Sequence, residues 1–231
     1  MALSGSAFLA LWNDISAESD AEYNRWHTDE HVPERVGIAG FIAGRRYLSS
    51  APGQHRYFTL YEVETAAVFE SAAYLDVIAR PTARSAAMRP LLSNVVRATC
   101  NTVGSAGSTA GQAIACVRIK AARAFDERAL IDTCSALADV TAVHLGRAHV
   151  AVPDAFEKWS NADQPTHVLL VEGTDEQRLR AHATALRDLA FGHAGAASTV
   201  IVDAYELAFG ITHSQVDASL RRSAPVVRSS L

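Results

Sequence analysis

"GFIAGRRYLSSAPGQHRYFTLYEVE", residues 40–64, holds two runs rich in strand-forming residues on either side of Pro52-Gly53. Aromatic and β-branched residues favour strands, and Pro-Gly marks the turn between them. The stretch therefore reads as an antiparallel pair. Side chains alternate across a strand, so Phe41, Ala43, Arg45 and Tyr47 share one face, against Ile42, Gly44, Arg46 and Leu48. In the second run His55, Tyr57, Thr59 and Tyr61 alternate with Arg56, Phe58, Leu60 and Glu62. The set with Tyr57 and Tyr61 is the more polar-aromatic, and we expect it on the inward face of the sheet, in the interior of the barrel derived below, together with Arg45 and Tyr47.

Working outward, "AFLALWND" (7–14) reads as a buried strand. Ser19-Asp20-Ala21-Glu22 fits a capping box and opens a helix that runs to about His31. Val32 precedes Pro33, where α conformation is disfavoured, so the helix is expected to break there. After the strand pair, Thr65 caps a helix over 66–79, and 91–103 closes as a strand. The order is β-α-β-β-α-β. "VGSAGSTAGQ" (103–112) has no apolar period and reads as a linker. Beyond it the order recurs: strand 112–120, helix 126–138, strands 141–152 and 166–173, a helix opened by Thr174-Asp175-Glu176-Gln177, and strand 198–210. Gly44-Arg45-Arg46-Tyr47 and Gly146-Arg147-Ala148-His149 fall in the same strand of each half.

The expected fold class is α+β, with two ferredoxin-like repeats (1–104 and 112–214) joined by 105–111 and followed by a loose tail, 215–231. A four-stranded antiparallel sheet covered by helices on one face needs a partner for the other. Each repeat supplies it to the other, giving a single-chain pseudo-dimeric α+β barrel.

Composition narrows the function. The chain has 231 residues, about half of them hydrophobic, and a net charge of -4. No basic field invites nucleic acid, and no apolar run approaches a membrane span. Three cysteines without a C-x-x-C fit neither a disulfide framework nor a zinc-cysteine site. A cytoplasmic protein that binds a small molecule, with room for homo-oligomers of the barrel, is the expectation.

The segment "YNRWHTDEHVPERVGIAGFIAGRRY" (23–47) resembles the signature of EthD-like members of the dimeric α+β barrel superfamily. The residues that carry it are Trp26, Glu30, His31, Pro33, Gly40, Phe41, Arg46 and Tyr47. The likeness covers roughly residues 7–100, and the second half matches in element order only. It implies a barrel in which a first-helix His lies beside a small-molecule cavity. In such relatives the position of His27 is commonly aromatic. Barrel relatives also include haem enzymes, so haem is an alternative to a cofactor-free site, with His31 or His55 as axial ligand.

His27-Thr28-Asp29-Glu30-His31 also spells H-x-x-E-H, the inverted zinc-protease pattern. His at i and i+4 can reach one metal, but no spacing selects a third ligand and the helix is short. We expect no metal. His31 is instead the candidate general base or acid, since an unperturbed imidazole has both forms available near neutral pH. The competing reading is a helix C-terminal cap. Tyr47, Tyr61 and Arg45 are expected to position an oxyanion or carboxylate, and Trp26, His27, Tyr57 and His55 to contact substrate. The expected chemistry is cofactor-independent proton transfer (isomerisation, elimination or oxygenation) on an aromatic-derived or polyketide-like compound. A non-catalytic ligand-binding role is the alternative.

Overall fold

The structure is a computed structural model that describes residues 3–148 and 164–221. The first half runs β1 (Ala7–Asp14), α1 (Asp20–Trp26), a π-helical turn (His27–His31), α2 (Val32–Val36), β2 (Phe41–Leu48), β3 (Tyr57–Val63), α3 (Ala72–Ala79), α4 (Ala83–Met88) and β4 (Ser93–Gly107). The second half runs β5 (Ala113–Lys120), α5 (Glu127–Ser135), β6 (Val140–Ala148), β7 (His167–Gly173), α6 (Glu176–Ala181), α7 (Ala183–Ala194) and β8 (Thr199–Thr212). The expected α+β order is present in both halves. His149, the last residue of the sequence echo, lies outside the described residues, as does the rest of the strand expected to reach 152.

Eight strands among the described residues close into one antiparallel barrel in the order β1-β3-β2-β8-β5-β7-β6-β4. Two long strands make the closure. β4 pairs with β1 from Ser93 to Asn101, then with β6 from Cys100 to Gly107. β8 pairs with β5 from Thr199 to Glu206, then with β2 from Glu206 to Thr212. No sheet edge is left open, which removes the template for unwanted strand pairing. The expected barrel is therefore present, with its halves joined along strand edges and across a shared interior.

That joining corrects the reading of 103–112 as a linker, because residues to Gly107 belong to β4. The glycines there serve close approach. A Cβ on Gly107, at φ +79°, would sit 2.2 Å from the Thr141 carbonyl oxygen, and one on Gly111 would sit 2.1 Å from that of Gly173. The tail reading also changes, since Val216 is buried and its carbonyl accepts from Arg221 at 3.1 Å. Residues 222–231 lie outside the described residues.

Inward-facing side chains of both halves fill the barrel. Phe8, Ala10 and Trp12 of β1 meet Phe58 and Leu60 of β3, Ile114 and Cys116 of β5, and Tyr205 of β8. Phe58 is the hub, with ring centroids 5.0 Å from Trp12 and 5.6 Å from both Tyr47 and Tyr205. On the outer face of the second half, α5, α6 and α7 bury Leu130, Ile131, Cys134, Leu179, Leu186 and Ala190 against strand residues such as Val117, Leu145 and Leu169. The outer face of the first half is covered by α1–α4, where an apolar cluster around Leu9, Val36, Val63 and Val77 adjoins an aromatic one of Tyr23, Trp26 and Tyr57. No helix among the described residues is long and apolar enough to cross a membrane.

The expected helices need three local corrections. Ser19 makes no side-chain cap, and neither does Thr65. The caps fall at Ser71, which accepts from Tyr74 N–H, and at Asp175, which accepts from Arg178 N–H. A 3-10 turn occupies 66–70, and α4 is an element that the sequence pattern does not announce. The helix also does not break at Val32, which keeps α geometry at φ -71° and ψ -48°. Proline lacks an N–H and its ring presses on the carbonyl a turn earlier. The π turn just before Pro33 widens the helix there, so the chain continues through proline to Val36.

Candidate active site

The outer face of the first sheet presents Leu9, Leu11 and Asn13 from β1, Tyr61 from β3, and Val95 and Arg97 from β4. Opposite them stand Tyr23, Trp26, His27, His31 and Arg35 from the first helical run, then Tyr74 and Ile78 from α3, Arg89 and Leu92. Between the two layers lies a cavity of about 150 Å³. It is thus a sheet–helix cavity, outside the barrel interior where the sequence reading puts it.

The π turn brings both imidazoles to one wall. His27 and His31 ring centroids are 4.9 Å apart at 31°, and Trp26 packs on His31 at 4.2 Å with the rings inclined at 50°. Tyr23 packs on His27 at 5.1 Å. His27 is only 2% exposed. The Nδ1 atoms of both rings are buried and make no hydrogen bond, and neither does the Tyr61 hydroxyl. Burial pushes both imidazoles well below their ordinary range. Arg46 and Arg35 add to this at His27, and Arg35, His27, Arg89 and Arg46 at His31. Both rings are therefore neutral at pH 7, each with one nitrogen able to accept a proton.

The wall is pinned from behind. Trp26 Nε1 donates to Ser85 Oγ at 3.1 Å, and Ser85 donates to Glu30 at 3.1 Å. Thr82 donates to the same carboxylate oxygen. Glu30 thus ties the π turn to α4 and is aimed away from the cavity. The H-x-x-E-H spelling does not assemble a metal centre here. Among the described residues no three His, Cys, Asp or Glu side chains are grouped to hold an ion.

Arginine supplies the charge. Arg35 is 7% exposed, pairs with Glu34 at 3.0 Å, and donates to the His31 carbonyl at 3.2 Å. Arg89 donates to the carbonyls of Ile78 and Val77 at the end of α3. Arg97 reaches the Tyr74 hydroxyl at 3.4 Å. The lining contains these three guanidinium groups and no carboxylate.

Four of the residues singled out by sequence line this cavity: Trp26, His27, His31 and Tyr61. The other four are elsewhere. Arg45 points into the barrel, where it binds Glu172 at 3.0 Å. Burial pushes the Glu172 carboxyl up, but contacts from His144, Arg45 and the Gly111 N–H outweigh it and hold the acid below its usual range. Tyr47 is buried in the same interior, beside Phe58. Tyr57 faces the helices as Tyr61 does, but it ties β3 to α1, donating to Asp20 and accepting from Asn24 at 3.0 Å. His55 sits by the Asn94 carbonyl at 2.8 Å and Arg118 at 3.4 Å. The expected face assignment is out of phase. Arg46 pairs with Thr59 and Gly44 with Tyr61, so the tyrosines belong with Gly44 and Arg46 and not with Arg45 and Tyr47.

Tyr23, Arg35, Tyr74, Arg89 and Arg97 join the site without having been singled out by sequence. Arg35 carries a signal. It stands four residues after His31, on the same face of a helix that continues through Pro33. Arg97 alternates with Val95 and so faces the helices with it.

No family model matches this chain, and no curated protein does. Solved structures do. An anthrone oxidase-like protein is similar over 92% of this chain and 95% of its own, with a TM-score of 0.66 at 10% identity. A point mutant of chlorite dismutase from Candidatus Nitrospira defluvii is similar over 89% and 92%, with a TM-score of 0.52 at 11% identity. A monooxygenase candidate from Fusobacterium nucleatum subsp. nucleatum is similar over 89% and 93%, with a TM-score of 0.50 at 11% identity. At such identities the likeness establishes the fold, which is that of the dimeric α+β barrel.

Haem is tested by the cavity itself. A cavity of about 150 Å³ holds one benzene-sized ring. A porphyrin is several times larger. Of the two expected axial ligands, His31 is packed against Trp26 and His27, and His55 lies outside this cavity with its ring nitrogens at the Asn94 carbonyl and Arg118. The residues around this cavity do not fit the group.

Proposed function

We propose that the chain is a small-molecule enzyme whose first half carries cofactor-independent acid–base chemistry on an aromatic-derived or polyketide-like compound. The observation that carries this reading is the pair of neutral imidazoles, His27 buried and His31 half-buried, with buried and partnerless Nδ1 atoms on the wall of an arginine-lined cavity. The run from Trp26 to Tyr47 supports an EthD-like affiliation, and the similarity to an anthrone oxidase-like protein and to a monooxygenase candidate supports an oxygenated aromatic substrate.

The step common to isomerisation, elimination and oxygenation is loss of a substrate proton. His31 takes that proton from an acidic C–H or O–H, and the electron pair stays on the substrate as an enolate or phenolate. Arg35, Arg89 and Arg97 stabilise that oxyanion in a largely buried site, where a charge interaction is stronger than in bulk water. The imidazolium formed is disfavoured in the empty cavity. The oxyanion formed in the same event supplies its counter-charge, so the pair is favoured together. His27 extends the imidazole wall as a proton acceptor or donor one ring away. His31→Ala, assayed against a panel of phenols, hydroxyquinones and anthrones by absorbance and oxygen uptake, should abolish turnover while the circular dichroism spectrum stays native. Unchanged turnover sinks the proposal.

A further inference from the structure

We infer that the cavity selects single-ring phenols and turns away fused polycyclic ones. This rests on the acid–base reading of the same site and narrows its substrate class. The first argument is room. The volume, about 150 Å³, matches one six-membered ring. The second is that the walls cannot retreat. Trp26 is fixed to Ser85 at 3.1 Å and Tyr23 to Asn13 at 3.0 Å. Phe41 is locked against Tyr61 and Tyr74 at 5.9 Å and 5.8 Å between ring centroids. Each of these aromatic rings is at most 3% exposed. On these sides a second fused ring has to displace a pinned, packed side chain, which leaves it only the half-buried rim at Leu11, Leu92 and Val95.

The third argument is polarity. His27 Nδ1, His31 Nδ1 and the Tyr61 hydroxyl are buried around one cavity with no hydrogen-bond partner. Polar atoms left so are costly, and a ligand that satisfies them is favoured over an apolar one of the same shape. A phenolic hydroxyl both donates and accepts, so it serves a neutral imidazole and the Tyr61 hydroxyl together. The aromatic walls take its ring face, and the guanidinium field favours its ionised form.

The test is equilibrium binding to the full-length protein, read by thermal shift and by titration, so it needs no turnover. The probes are phenol, 4-nitrophenol, toluene, 1-naphthol and 1,8-dihydroxyanthraquinone. Phenol and 4-nitrophenol should bind, toluene at least tenfold more weakly, and the fused compounds not at all. Bound 4-nitrophenol should ionise at a lower pH than free, seen in its visible absorbance. Leu92→Ala, which opens the half-buried rim of the cavity, should admit 1-naphthol. Equal binding of toluene and phenol, binding of the fused compounds as tight as phenol, or no binding of either single-ring phenol overturns the inference. If phenols bind but no proton-transfer chemistry follows, the enzymatic reading falls and the ligand class stands. If a fused compound is bound and turned over, the reverse holds.

Discussion

Acidifying from pH 7 to pH 5 should weaken the fold by about 2 kcal/mol for each of His27 and His31. The argument needs only that both rings stay neutral when folded. Burial, reinforced by Arg46 and Arg35 at His27 and by Arg35, His27, Arg89 and Arg46 at His31, holds both well below the ordinary imidazole range. In the unfolded chain each titrates near pH 6.5, so below that point the unfolded state binds protons that the folded state refuses. The sign follows. The stabilisation is complete above the unfolded value and is lost as pH falls below it, at up to about 1.4 kcal/mol per pH unit per ring. Integrated from pH 7 to 5, this gives roughly 2 kcal/mol each and about 4 kcal/mol for the pair. That is a large share of the ordinary stability of a domain.

The assay is urea unfolding at both pH values for the wild type and for His27→Phe/His31→Phe. Phenyl rings keep the stacking on Trp26 and Tyr23 and remove the titration. His55 and His167, whose values are also lowered, and the carboxylates are common to both proteins and cancel in the difference. The wild type should lose about 4 kcal/mol more than the variant on acidification. Equal losses would refute the placement of the two neutral imidazoles. If the double variant does not fold, the single His→Gln variants carry the same comparison at about 2 kcal/mol each.

Ser85→Ala leaves the Trp26 indole N–H without its acceptor and removes a donor from Glu30; it should cost about 1–3 kcal/mol in urea and shift Trp26 fluorescence. Arg45→Met should cost about 3–5 kcal/mol by stranding Glu172 in the barrel. Arg45 is outside the cavity, so turnover per folded molecule should be preserved, and a specific loss of turnover would restore it to the site. Gly146→Ala places a Cβ 2.4 Å from Phe8 Cζ and 2.6 Å from Cys100 Cβ; it should lower the thermal midpoint by overpacking worth about 1–3 kcal/mol.

Strand content is legible because it is local. "AFLALWND" is β1 to the residue, and the strands expected at 112–120 and 166–173 are β5 and β7 with one residue fewer at each start. What fails depends on geometry that alternation cannot supply. Whether Tyr61 shares a face with Arg45 or with Gly44 depends on the hairpin register, which the loop between Leu48 and Tyr57 sets, and a one-residue shift exchanges the faces. The same applies at Pro33. Local preference argues for a break, yet one widened turn removes the steric conflict, and that turn is what sets His31, Trp26 and Arg35 around one space.

The two outer faces of the barrel explain why chemistry gathers on one side. Under α5, α6 and α7 the second sheet is closed mainly by close-packed aliphatic side chains and Cys134. Under α1–α4 an aliphatic cluster around Leu9, Val36, Val63 and Val77 adjoins a stretch lined by Tyr, Trp, His and Arg, whose rigid, polar-tipped shapes do not fill space as Leu and Val do. A void and a set of unmatched donors and acceptors are then consequences of one compositional choice. Turning His27, His31 and Tyr61 into Phe should therefore leave the cavity but remove its preference for phenol over toluene. Retained preference would place the recognition on the arginines instead.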